Sequence, residues 1–156
     1  MKRLLKSILP ATLLALGIGG SSQAQTYLTP TPDIYVVMFH ASWCGPCKVV
    51  NPALDRALQN LNDPRIEYLR IDISSGSGDY NGHAVFDRGI VRQYNMWLGV
   101  TGFAAIIDGD TKRTMGCVNL TYDSDAMTMH IRNLQNAAQQ NIETFDITCP
   151  EANNPV

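Results

Sequence analysis

Ile34-Tyr35-Val36-Val37-Met38-Phe39-His40-Ala41-Ser42-Trp43-Cys44-Gly45-Pro46-Cys47 is the stretch on which the reading of this 156-residue chain turns. Ile34 to Phe39 form an unbroken apolar run of β-branched, aromatic and other large side chains, the pattern of a strand covered on both faces. After the cysteines, Val50, Leu54, Ala57, Leu58 and Leu61 recur on one side of a helix, and Asn62-Asp63-Pro64 stops it. Two cysteines separated by two residues at a helix start place both sulfurs on its first turn. Pro46 suits that start, because the first helical position needs no N–H partner. The free N–H groups and positive dipole end of the helix stabilise a thiolate at Cys44. Cys44 is thus the expected nucleophile, and Cys47 the thiol that resolves a mixed disulfide. Two other readings of the pair stay open at this point. One is half of a zinc site, which needs two further ligands in similar spacing. The other is a permanently closed disulfide, although so small a ring constrains little chain.

On the carboxyl side, Leu69, Ile71 and Ile73 alternate within Arg65 to Ile73, as a second strand requires. Strand, helix and strand in that order make a right-handed βαβ unit. Ser74-Ser75-Gly76-Ser77-Gly78 and Asp79 to His83 are expected to be a mobile surface loop, spanning about 74–83. Val85, Phe86, Ile90, Val91 and Tyr94 predict one helix from about Ala84 to Tyr94, despite Gly89. Phe103 to Ile107 read as a third strand. The turn Asp108-Gly109-Asp110 joins it to an antiparallel fourth, around Arg113 to Val118. Asp123 or Ser124 caps a last helix with Met127, Ile131, Leu134 and Ala138 inward. A tail from about 142 to 156 carries Cys149.

On the amino side, Lys2, Arg3 and Lys6 precede an apolar run from Ile8 to Ile18, and Ser22-Gln23-Ala24 offers small residues for cleavage. Residues 1–24 are therefore expected to be a signal peptide and residues 25–156 a single domain. The apolar run falls short of the roughly 20 residues that span a bilayer, though an uncleaved anchor is the alternative. Without those three cations, nine basic residues face 14 acidic ones, a net charge of −5. Nucleic acid is excluded as a partner by that balance, since phosphate binding needs a basic surface. All four cysteines, Cys44, Cys47, Cys117 and Cys149, lie in the exported part, where disulfides persist.

Phe39-His40-Ala41-Ser42-Trp43-Cys44-Gly45-Pro46-Cys47-Lys48, with Pro52 five residues beyond the second cysteine, resembles the active-site segment of the thioredoxin family. The resemblance implies an α/β thioredoxin fold, a central mixed sheet flanked by helices, with an exposed Cys44 and a buried Cys47. Trp43, Gly45 and Pro46 would shape the site, and Thr101, Gly102 and Phe103 would line the substrate groove. A Gly-Pro dipeptide between the cysteines is that of the reducing members. The expected function is a periplasmic or secreted thiol-disulfide oxidoreductase that reduces or isomerises protein disulfides. Its electrons would come from a membrane donor, it would be a monomer, and it would need no metal or cofactor beyond its own disulfide. A disulfide-forming oxidase, or a non-catalytic binding module of an envelope assembly, are the alternatives.

Three positions depart from that family's pattern. No proline lies between Pro64 and Pro150, so the usual cis-proline of the loop facing the cysteines is absent. Thr101-Gly102 occupies that loop instead, and a trans peptide is expected because a non-proline cis bond costs roughly 3 kcal/mol. The usual buried acid falls on Met38 and its lysine partner on Tyr68. His40, two residues after Met38, is therefore a candidate to handle the proton of Cys47 or steady a thiolate. A plain space-filling role for His40 is the competing expectation. Cys117 and Cys149 are expected to form a structural disulfide that fixes the tail across the domain. A free Cys117 able to exchange with Cys44 is the alternative.

Overall fold

In the computed structural model, which describes residues 31–75, 79–144 and 148–153, the apolar run becomes strand β1 (Ile34–His40), buried along its whole length. In chain order there follow α1 (Cys47–Leu61), β2 (Ile66–Asp72), α2 (Asp79–Asp87), α3 (Val91–Met96), β3 (Phe103–Asp108), β4 (Thr114–Asn119) and α4 (Ser124–Gln139). The expected signal peptide lies outside the described residues. Among the described residues, no helix is long and apolar enough to cross a membrane.

The strands form one mixed sheet in the order β2-β1-β3-β4. β1 runs parallel to β2, from Ile34 opposite Ile66 to His40 opposite Asp72, and antiparallel to β3. β3 and β4 are antiparallel, with an irregularity between Ile106 and Ile107. β1 is thus an inner strand with a helical layer on each side, which accounts for its lack of polar alternation. Successive side chains point to opposite faces. Ile34, Val36 and Met38 pack with Val50, Leu54 and Ala57 of α1 and Met127, Ile131 and Leu134 of α4. Tyr35, Val37 and Phe39 pack on the other face with Val85, Ile90 and Trp97.

Local signals set most of the element ends. Asn62 ends α1 in the left-handed region (φ 41°), its N–H donating to the Leu58 carbonyl. Asp123 caps α4, its side chain accepting from the N–H groups of Asp125 and Ala126. Pro52 sits inside α1, where it deprives the Lys48 carbonyl of its helical donor.

Two expectations need correction. The helix expected over Ala84 to Tyr94 is two helices, because Gly89 (φ 67°) closes α2. Gly89 N–H donates to Phe86 O and Ile90 N–H to Val85 O, the paired bonds of a glycine-terminated helix end. The loop expected over 74–83 is also too long, since α2 starts at Asp79. Glycine and serine content signalled poor packing there, yet a helix laid against β2 overrides weak local propensity.

Candidate redox site

β1 ends at His40 and hands the chain directly to the cysteine turn. Cys44 lies in that turn and Cys47 is the first residue of α1, with Pro46 already in helical geometry (φ −56°, ψ −33°). The sulfurs therefore straddle the helix start instead of sharing its first full turn. Cys44 and Cys47 are joined in a disulfide. The Cys47 backbone N–H donates to Cys44 Sγ at 3.1 Å, so a free helix-end donor is aimed at this sulfur, as a stabilised thiolate requires. Cys47 Sγ lies 3.9 Å from the Phe39 carbonyl oxygen.

Exposure differs from expectation. Cys44 is only 3% exposed, nearly as buried as Cys47 at 1%, whereas Trp43 beside it is 64% exposed. The cause is the loop opposite. A Cβ added to Gly102 would stand 3.5 Å from Cys44 Sγ and 2.8 Å from the Pro46 side chain. Gly102 (φ 91°) thus presses its bare backbone against the cysteine turn, held by its N–H donating to Phe39 O at 2.9 Å. Where the resemblance calls for a cis-proline, this chain uses a glycine, and the described residues contain no cis peptide bond.

Of the other two groove residues, Thr101 is half-buried and its backbone makes no hydrogen bond among the described residues. Phe103 borders the groove, with its ring packed into the core. It is 2% exposed and stacks on Phe39 at 4.9 Å, with Trp97 edge-on to both.

Beneath the turn, on the α1 face, stands His40, 8% exposed. Asn51 Nδ2 donates to its Nδ1 at 3.1 Å, which leaves Nε2 as the protonated nitrogen, 3.7 Å from Asp72 Oδ2. Burial and the nearby Arg70 push the His40 pKa down, while Asp72 pulls it up. The Asp72 carboxyl is held below its usual range, chiefly by hydrogen bonds from Ser74. Ser74 Oγ in turn accepts the Ser42 N–H at 2.7 Å, so the network reaches the cysteine turn itself. Sequence reading singled out His40 but missed Asn51 and Asp72. Asn51 lies one helical turn past Cys47, a spacing that puts both on one face. Asn51 Oδ1 is buried and has no partner among the described residues. Met38, at the position of the expected acid, lies fully buried opposite Arg70. Tyr68 pairs with Val36, two positions along the ladder.

Cys117 and Cys149 are joined in a second disulfide. Cys117 is fully buried on the α2–α3 face of the sheet, so the two cysteines that a zinc site would need are committed to each other.

Residues 22–83 match the thioredoxin family model. The fold is the thioredoxin fold. A thioredoxin of Coprinus comatus is 30% identical over 50 residues, covering 32% of this chain and 47% of that protein. Thioredoxin H2 of Arabidopsis thaliana is 38% identical over 40 residues, 26% of this chain and 29% of its own. These alignments therefore span less than half of the relatives' own lengths. Among solved structures, the thioredoxin-related protein of Neisseria meningitidis serogroup B superposes with a TM-score of 0.48 at 14% identity, over 72% of this chain and 92% of that one. This thioredoxin-like chain carries the two-cysteine pair at the helix start, within the matched segment.

Proposed function

We propose that the chain catalyses thiol-disulfide exchange on proteins, reducing or isomerising their disulfides outside the cytoplasm. The observation that carries the reading is the Cys47 N–H aimed at Cys44 Sγ, which favours negative charge on that sulfur. In the reducing direction a Cys44 thiolate attacks one sulfur of the substrate disulfide. A Cys44–substrate bond forms, the substrate S–S bond breaks, and the first substrate thiolate leaves. Cys47, deprotonated, then attacks Cys44 Sγ, closing the Cys44–Cys47 disulfide and releasing the second substrate thiolate. Two electrons have passed to the substrate, and a dithiol donor must return them; a membrane donor fits an exported protein. His40, joined by its hydrogen bond with Asn51 to the helix that bears Cys47, takes the place of the absent acid in handling the Cys47 proton. Trp43, Gly45 and Pro46 frame the turn, and the Thr101 backbone offers a donor and an acceptor to an extended substrate.

Insulin reduction by the full chain, with Cys44→Ser as control, tests the activity. Turnover at least a hundredfold above the control is expected, and equal rates would overturn it. The burial of Cys44 favours one rival, a binding module with a locked disulfide, and equal rates are its signature. Equilibration with glutathione sets the direction: a potential near −270 mV marks a reductant and one near −120 mV an oxidase. Export is supported by the basic start and short apolar run of residues 1–24. Amino-terminal sequencing of the protein from the periplasm or medium should begin at Gln25, and a chain retained with Met1 in the cytoplasm would overturn export.

A further inference from the structure

We propose that the stapled tail, residues 148–153, is one wall of the groove that receives substrate over Cys44, and that this groove selects an apolar side chain beside the reacting cysteine of an extended polypeptide. The inference rests on the exchange activity proposed above and adds to it a substrate class.

A groove of about 340 Å³ opens beside the cysteine turn, bounded by Pro46, Thr101 and Gly102 on one side and by Leu120, Thr148 and Pro150 on the other. Its continuity with the reacting sulfur is direct, because Pro46 and Gly102 are the residues that close over Cys44. None of its lining residues is charged, and Leu120 is left 55% exposed at its rim. A groove lined by a solvent-exposed leucine and two prolines offers nothing to a charged side chain and a dry contact to an apolar one. The Thr101 backbone, which makes no hydrogen bond among the described residues, suits an extended segment.

The far wall exists only because the tail is pinned. β4 is the edge strand of the sheet, and the tail covers it. Thr144 Oγ1 donates to Met115 O (2.7 Å) and Thr148 Oγ1 to Cys117 O (2.8 Å), alternate carbonyls of β4. The Cys117–Cys149 bond then fixes the next residue, and Trp97 Nε1 donates to Pro150 O at 3.0 Å. Asn153 N–H donates to Met96 O at 3.1 Å, tying the tail to the end of α3. Thr148 and Pro150, the two wall residues, flank the staple on either side.

The test uses the full chain and two peptide disulfides that differ in one residue next to the cysteine, Leu or Asp, with hydroxyethyl disulfide as a substrate too small to reach the wall. The wild type should prefer the Leu peptide by about tenfold in kcat/KM. Cys117→Ala/Cys149→Ala should lose that preference while keeping hydroxyethyl disulfide turnover within twofold. Pro150→Lys leaves the staple and the backbone bond from Trp97 in place, so it serves even if the double variant fails to fold, and it should shift the preference toward the Asp peptide. A wild type indifferent to the two peptides, or a Pro150→Lys chain with unchanged preference, overturns the wall. Failure of the exchange reading looks different: hydroxyethyl disulfide turnover no faster than that of Cys44→Ser, which overturns both.

Discussion

The two disulfides sit on one small sheet and occupy opposite physical situations. Cys44–Cys47 closes a ring of separation 3 at a helix start, beneath an exposed tryptophan and beside an open groove. Cys117–Cys149 closes a loop of separation 32, with one sulfur-bearing residue fully buried among Phe103, Ala105 and Trp97. A short ring restrains little of the unfolded chain, so its bond can open and close at small cost to the fold. The longer loop removes about 4 kcal/mol of unfolded-state freedom in the chain-entropy account. The contrast assigns chemistry to the first bond and architecture to the second.

The sharpest way to break that contrast is to abolish each disulfide in turn. Cys47→Ser should cut multiple-turnover reduction of insulin by at least a hundredfold and leave Cys44 in a mixed disulfide with substrate, visible by mass spectrometry. Its urea midpoint should change little. Cys117→Ala/Cys149→Ala should do the reverse, lowering stability by about 4 kcal/mol in urea titration while small-disulfide turnover stays within twofold. If the second pair proved redox-active and the first inert, the assignment would be inverted.

Gly102→Ala probes the contact that seals Cys44. The added methyl would meet the Pro46 side chain at 2.8 Å, in a backbone conformation (φ 91°) that alanine rarely adopts. A loss of about 1–3 kcal/mol is expected, with faster alkylation of Cys44, because a loop that backs away from the turn uncovers the sulfur it seals. Calorimetry and the rate of alkylation of the reduced protein by iodoacetamide check the two effects separately. An unchanged melting temperature would mean that the loop is not pressed against the turn.

How much of the molecule was legible in its sequence divides along the same line between local and long-range contacts. Ile34 to Phe39 announced an inner strand because a β-branched and aromatic run with no polar alternation leaves neither face for solvent, and Asn62 and Asp123 marked helix ends through local geometry. Free helix-end N–H groups near Cys44 were expected from the spacing and the helix start, and the Cys47 N–H bond to Cys44 is one of them. Burial of Cys44 was not legible: the resemblance put Thr101-Gly102 opposite the cysteines, but how closely Gly102, 58 positions away in the chain, packs on the sulfur is set by the fold. Gly89 was visible, but a single glycine within a helical pattern does not tell whether the helix merely tolerates it or ends there. The tail as a groove wall was illegible, since only the fold brings Thr148 and Pro150 opposite Pro46.

His40 gives the smallest expected effect and the finest distinction between the cysteine turn and the tail. Burial and Arg70 hold its folded-state pKa below the ordinary 6.5, against the pull of Asp72. Below pH 6.5 the unfolded chain therefore binds a proton that the folded chain resists, and stability must fall as pH drops through the window between 6.5 and the lowered value. Asp33, Asp63 and Asp72 are also lowered, from 3.8, so their stabilisation is intact above that value and is lost only in stronger acid. Urea midpoints at pH 7.5 and 5.0 thus isolate the imidazole. The wild type should lose stability between these two values, and His40→Asn, which keeps a polar side chain beside Asn51 but cannot charge, should lose less. The same acid step should leave the slope for Cys117→Ala/Cys149→Ala as steep as in the wild type, because the tail carries none of the groups that perturb His40. Equal slopes for the wild type and His40→Asn would show that the imidazole titrates alike in the folded and unfolded chains, and His40 would then be a spacer beneath the turn and not a base.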